Sequence, residues 1–355
     1  MADRTKIEWT RSPDGTPGAT WNPLRGCSRV SDGCRHCYAE TVAARFSGPG
    51  QPYAGLAKRV TRPDGTSEAR WTGKVEFVEH MLDQPLRWKR PRRIFVNSMS
   101  DLFHESVPDE WIDQVFAVMA LAPRHAFQAL TKRPERMRKY VSDIATQGRI
   151  ARALIDRHLL TGISTFAAGP DWPVCSIGDI DDPDDVALKA WPLPNVWLGT
   201  SVEDQARADE RIPILLDTPA AIRWISAEPL LSQVDISPWL FGGDPPCPKC
   251  PKDIDCDCGW QTRRELGQPH LSWIVVGGES GPGARPFDIE WARILVYQCK
   301  TSDVPVFVKQ MGSRPIAMKD KGACPEPWPL ALDSRSGTDM DEWPEDLRIQ
   351  EYPAP

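Results

Sequence analysis

Cys27, Cys34 and Cys37 stand in C-x6-C-x2-C spacing inside one loop-like stretch, Trp21-Asn22-Pro23 through Tyr38-Ala39-Glu40. Gly26 and the Asp32-Gly33 pair let that backbone turn, so the three thiols can face one point. Three sulfurs without a fourth ligand is an informative set. A structural zinc site closes its shell with four protein ligands. A [4Fe–4S] cluster on three cysteines instead leaves one iron open, which implies chemistry rather than electron storage. Zinc completed by His36, or unligated thiols, are the blander readings. His36 lies between two of the cysteines, where a side chain usually points away from a shared metal.

A second group, Cys247, Cys250, Cys256 and Cys258, has C-x2-C-x5-C-x-C spacing in a Pro/Gly-rich stretch from about 242 to 270. Four thiolates so close suit a closed structural zinc ion, with a second iron–sulfur cluster as the alternative. Cys175 reads as a plain thiol, Cys299 as helix core and Cys324 as part of the tail.

The elements that must position these groups follow a rhythm. Short apolar runs begin at Arg93, Ala126, Val196, Ala221, Ser272 and Val304, and each reads as a buried strand. Helices are expected over 38–46, from Pro108 to Ala122, over 134–141, near 149–160, over 204–216 and over 288–300. Continuous apolar strands alternating with helices predict an α/β fold with a parallel sheet, built as a complete or partial (β/α) barrel. No dinucleotide fingerprint follows the first strand, which weakens a doubly wound alternative. The barrel-like domain is expected over 1–312, with irregular insertions at about 47–73 and 161–194, the Cys-rich insertion at 242–270, and a polar tail over 313–355.

Barrel chemistry sits at the carboxyl ends of strands. Those exits carry Asn97, Ser98, Ser100 and Asp101; Thr131, Lys132 and Arg133; Thr200, Ser201 and Glu203; Ser226 and Glu228; Gly277, Gly278 and Glu279; and Lys309 and Gln310. Two adjacent glycines let a backbone approach a ligand closely, and Glu279 can accept from an ammonium group.

The runs Lys6-Ile7-Glu8-Trp9-Thr10, Thr20-Trp21-Asn22-Pro23, Gly26-Cys27 to Glu40, Asn97-Ser98-Met99-Ser100-Asp101-Leu102-Phe103, Leu130 to Pro134, Gly199 to Glu203, Ser226 to Leu230 and Gly277 to Gly281 together resemble a family. It is that of the phage-associated three-cysteine proteins of unknown function, related to radical S-adenosylmethionine enzymes. The first cysteine gap is wider than in the common radical enzymes, while the second is kept. The resemblance implies a barrel of radical-SAM type, a [4Fe–4S] cluster on Cys27, Cys34 and Cys37, and S-adenosylmethionine at its open iron. Candidate cofactor contacts are Tyr38, Ser98, Ser100, Asp101, Thr200, Ser201, Glu203, Gly277, Gly278 and Glu279. Radical enzymes use a Gly-Gly-Glu stretch for the cofactor's amino group, but after an earlier strand, so Ser98, Ser100 and Asp101 rank equally for that contact. Lys132, Glu228 and Lys309 are the candidate catalytic side chains. An electron donor, and a phage- or host-encoded partner protein, are implied alongside.

The 355 residues carry a formal net charge of -6, so bulk electrostatics do not announce a nucleic-acid binder. The run Arg87-Trp88-Lys89-Arg90-Pro91-Arg92-Arg93 is a local exception, read either as a solvated strand approach or as a phosphate-facing patch. With Lys132 and Arg133 it leaves nucleic acid or a nucleotide open as the substrate. No stretch approaches the roughly 18 apolar residues that span a bilayer, so a soluble, cytoplasmic protein is expected. The rival function is a zinc-stabilised nucleic-acid-binding protein without catalysis.

Overall fold

The structure, a computed structural model, describes residues 4–12, 14–63, 65–161, 173–176, 186–241, 261–319 and 326–354. Cys247, Cys250, Cys256, Cys258 and Cys324 lie outside the described residues, as does most of the 161–194 insertion.

Seven strands form the main sheet: β1 (Ala19–Trp21), β2 (Arg93–Val96), β3 (Ala126–Thr131), β4 (Val196–Ser201), β5 (Ile222–Ala227), β6 (Trp273–Gly277) and β7 (Val306–Gln310). Their order in the sheet is their order in the sequence. The pairings β1–β2–β3 and β5–β6–β7 are parallel. A doubly wound sheet reverses its strand order at a switch point. A strictly sequential parallel order does not, and it is the winding of a partial barrel. The helices between strands are α1 (Tyr38–Arg45), α2 (Asp109–Leu121), α3 (Pro134–Ser142), α4 (Thr146–Thr161), α5 (Gln205–Leu216) and α6 (Ile289–Thr301). Among the described residues, no helix is long and apolar enough to cross a membrane.

Local chemistry explains the boundaries. Pro108 precedes α2, with Asp109 and Glu110 in its first turn, where the missing N–H costs nothing and negative charge meets the helix dipole. Asp204 caps α5 by accepting from the Arg207 N–H at 2.8 Å, and Asp288 caps α6 through the Glu290 N–H at 3.0 Å.

The chain divides into two compact units. The first comprises Met1–Val30, Cys37–Leu198 and Thr218–Ala221. Its core packs α2 between strand and helix neighbours, with Phe116 and Tyr140 rings 5.6 Å apart and Trp21 against Phe127 at 5.6 Å. Within the expected irregular stretch at 47–73, Ala57–Thr61 and Ser67–Trp71 pair as an antiparallel ribbon.

The second unit comprises Ser31–His36, Gly199–Asp217 and Ile222–Pro355. Trp273 is fully buried between Trp224, at 5.4 Å, and Phe307, at 6.2 Å. Truncating such an aromatic to alanine costs about 3–5 kcal/mol, so this face pins the strand register. The free edge of β7 is covered rather than left open. Val308 donates to the Ile349 carbonyl at 2.9 Å and Glu351 to that of Val306 at 3.0 Å. An uncovered edge would template further pairing. Trp343, 2% exposed, anchors the same terminal stretch.

Candidate functional site

Chemistry-bearing side chains gather at the carboxyl ends of the strands, as two groups within the first unit and two within the second.

In the first unit, Arg133 follows β3 and is almost wholly buried. Its guanidinium donates to Asp101 Oδ2 at 3.0 Å, Glu105 Oε1 at 2.8 Å and Ser28 Oγ at 2.7 Å, and its Nη1 stands 3.9 Å from Cys27 Sγ. Asp101 also accepts from Thr131 Oγ1 at 2.7 Å and from the Lys132 and Phe103 N–H groups. The carboxylate is thus the knot that ties the exits of β2 and β3 to the start of the cysteine loop. His104 completes it: Nδ1 accepts from the Ser106 N–H, so the ring donates through Nε2 to Ser28 Oγ at 2.9 Å. Burial, and then the Arg133 charge, hold His104 below the usual histidine range.

The remaining exit of β2 holds the loop's stalk. Asn97 Oδ1 takes the Leu24 N–H, Ser98 Oγ donates to Asn22 Oδ1, Ser100 Oγ donates to the Leu24 carbonyl, and Tyr38 donates to the Ser98 carbonyl at 2.6 Å. Ser98, Ser100, Asp101 and Tyr38 therefore all bond to protein groups. Cys37 is the residue just before α1. Burial pushes its thiol up, against the pull of the Glu40 and Ala39 N–H groups and the Lys132 charge.

In the second unit, the segment Ser31–His36 is held at three points. Arg285 Nη1 donates to the Asp32 carbonyl at 3.0 Å, and His36 Nδ1 reaches Glu279 Oε2 at 2.9 Å. The third point is Gly33, whose α-carbon faces Glu203 so closely that a Cβ would lie 2.9 Å from its carboxyl carbon. Glu203 is fully buried and takes Arg211 Nη1 on Oε2 at 3.1 Å. Its Oε1 has no hydrogen-bond partner among the described residues. Glu279, also buried, accepts from Arg285 Nη2 at 2.7 Å. Burial works to raise Glu279, but the bonds from Arg285 and His36 prevail and hold it below the usual carboxylate range. Ser31 Oγ lies 3.9 Å from Cys34 Sγ.

The last group joins β5, β6 and β7. Glu228 Oε1 meets Lys309 Nζ at 2.9 Å, and Ser226 Oγ donates to Glu228 Oε2 at 3.3 Å. Gly277 lies at the exit between them, where a Cβ would stand 2.9 Å from Glu228 Oε1. Gly278 is equally crowded, 2.5 Å from the Met311 carbonyl by the same measure. Thr200 and Ser201 are buried, and the Ser201 carbonyl accepts from Arg211.

Of the residues singled out from sequence, Glu228 and Lys309 are drawn together, and Asp101 meets Arg133, whose other partners Ser28 and Glu105 were not singled out. Arg211, Arg285 and His104 carry no motif signal: Arg211 and Arg285 bond to acids 8 and 6 residues away at no regular spacing, and His104 to Ser28, 76 residues away.

The chain matches, over residues 4–327, the family described as "Protein of unknown function (DUF5131)". It belongs to that family. No curated protein and no solved structure matches it.

The donor chemistry of Cys27, Cys34 and Cys37 fits an iron–sulfur cluster. None of the three is in a disulfide, all are half-buried, and Arg133 and Ser31 offer polar hydrogens to the sulfurs of Cys27 and Cys34. Among the described residues, no group of three or more His, Cys, Asp or Glu is arranged to hold a metal ion. The assignment therefore rests on donor type and spacing.

Proposed function

We propose that this protein is an enzyme of the radical S-adenosylmethionine type, with Cys27, Cys34 and Cys37 as the ligands of a [4Fe–4S] cluster. Bound there, cluster and S-adenosylmethionine would supply one-electron chemistry and hydrogen abstraction, which no side chain can provide. The observation that carries the reading is the set of three free thiols in C-x6-C-x2-C spacing, flanked by stretches that are anchored to strand exits within each unit. Arg133 and His104 hold the Ser28 side in one unit, and Glu203, Glu279 and Arg285 hold Ser31–His36 in the other. Charged side chains at strand exits thus fix each stretch of the loop within its own unit.

The chain's own residues would bind and orient. Glu228 and Lys309 offer a carboxylate and an ammonium group in contact, able to hold or relay a proton at Glu228 Oε1 beside a substrate. Glu203 Oε1 offers a buried acceptor to a bound hydroxyl or ammonium group. The same proposal includes structural zinc on Cys247, Cys250, Cys256 and Cys258, a separate electron donor, and a phage- or host-encoded partner.

Anaerobic purification and reconstitution with iron and sulfide test it. The expected result is cluster absorbance lost in Cys34→Ala, and 5′-deoxyadenosine formed from S-adenosylmethionine with a reductant. Zinc in place of iron at these cysteines, with no 5′-deoxyadenosine, would favour the zinc-stabilised nucleic-acid-binding reading instead.

A further inference from the structure

The run that leads into β2 is dense in positive charge. Arg87, Lys89 and Arg90 are exposed and form no ion pair among the described residues. Arg92 lies over the Trp88 ring at 4.9 Å. Arg124 reaches the same turn and donates to the carbonyls of Trp88 and Leu86, both at 2.9 Å. Burial alone draws Arg124 below the ordinary arginine range, with no carboxylate acting on it. The acid nearest in sequence, Asp83, is engaged by Arg157 at 2.7 Å. Elsewhere in this unit buried and half-buried arginines sit on acids, as Arg133 does on Asp101 and Arg149 on Asp113. In a chain of net charge -6, three exposed cations without an acid partner among the described residues ask for an anionic partner from outside.

We propose that this edge docks the sugar–phosphate backbone of double-stranded nucleic acid. Arg87 closes the short helix Gln84–Arg87, and Lys89 and Arg90 follow it on the irregular run into β2; such a succession of cations along the chain suits a polyanion better than a lone phosphate group. Single strands are held largely by stacking bases on exposed aromatic rings. The aromatic side chain in this run, Trp88, is 7% exposed and carries Arg92 on its ring, so it offers no such face. The edge stands at the amino end of β2, roughly 13 Å along the strand from the exit that carries Asn97. It is thus a docking surface apart from the strand exits, and it does not rest on the proposed cluster.

The test uses the full chain and a labelled 30-base-pair DNA duplex, titrated by fluorescence anisotropy between 50 and 200 mM salt. Three phosphate contacts give a log–log salt slope of about -2.7, which is about 40-fold weaker binding across that range. Replacing all three side chains, Arg87→Ser with Lys89→Ser and Arg90→Ser, is expected to remove that much slope. It should also weaken binding at least tenfold at 50 mM salt, with the melting temperature unchanged. Should the triple variant fold poorly, Arg90→Ser alone is expected to reduce the slope by about 0.9. A single strand of equal length should compete less well than the duplex. Equal binding by wild type and variants, absence of duplex binding, or binding to phosphatidylserine vesicles without binding to duplex would each overturn the proposal.

Discussion

Lys309 Nζ stands 2.9 Å from Glu228 Oε1, and the two side chains leave the sheet on either side of Gly277. The contact exists because β6, between β5 and β7, presents a residue with no side chain at that level. Any larger residue would force the carboxylate away. On the proposed function, Glu228→Gln and Lys309→Met are each expected to lower product formation by the reconstituted protein about a hundredfold or more. A partly exposed ion pair contributes only about 0–1 kcal/mol, so the melting temperature should scarcely move. Normal turnover in both variants would remove the pair from the chemistry.

Arg133 and Asp101 are both nearly buried and bonded at 3.0 Å. Removing one partner of such a pair strands the other charge, at a cost of about 3–5 kcal/mol. Arg133→Ala should therefore lower stability by that amount in denaturant titrations and speed hydrogen exchange in residues 26–30. Arg133→Lys, unable to reach Asp101, Glu105 and Ser28 together, should fall between. Exchange in 26–30 identical to wild type would show that the loop does not depend on this anchor.

Gly33 and Glu203 are coupled by contact. Gly33→Ala places a methyl group 2.9 Å from the Glu203 carboxyl carbon and is expected to cost about 1–3 kcal/mol. Glu203→Ala alone should cost more, because Arg211, 2% exposed, loses its acid. Adding Gly33→Ala to that background should cost little further. Simple additivity in the double-mutant cycle would refute the coupling.

Stability should fall on mild acidification because of His125. Burial, then the charges of Arg124 and Arg92, lowers its pKa to about 4, while Nε2 donates to the Pro85 carbonyl at 3.1 Å. The unfolded chain takes up the proton near pH 6.5, whereas the folded chain resists until about 4. The contribution of His125 is therefore complete above pH 6.5 and is lost progressively as pH falls towards 4. His125→Gln should flatten that part of the stability profile. An unchanged slope between pH 6.5 and 4 would place the titrating group elsewhere.

Much of the scaffold was legible in the sequence, because local rules decide it. The apolar runs at 126–131 and 196–200 cannot be exposed, and Pro108 with two acids after it can scarcely do other than open a helix. Expected and observed elements agree there to within a residue or two. The short strand Ala19–Trp21 escaped notice because three residues carry no periodicity, and it is defined by pairing with β2. The ribbon at 57–71 was hidden by its surrounding glycines and prolines.

The sequence by itself determined the cysteine spacing, the strand–helix rhythm and which polar residues leave each strand, since these are properties of neighbours along the chain. Only the tertiary structure decided what those residues touch. Ser98, Ser100 and Asp101 hold the cysteine loop, Glu279 answers to His36 and Arg285, and Glu228 meets Lys309 across Gly277. A side chain's partner depends on which strand exit folding brings within about 3 Å, and spacing along a chain does not contain that distance.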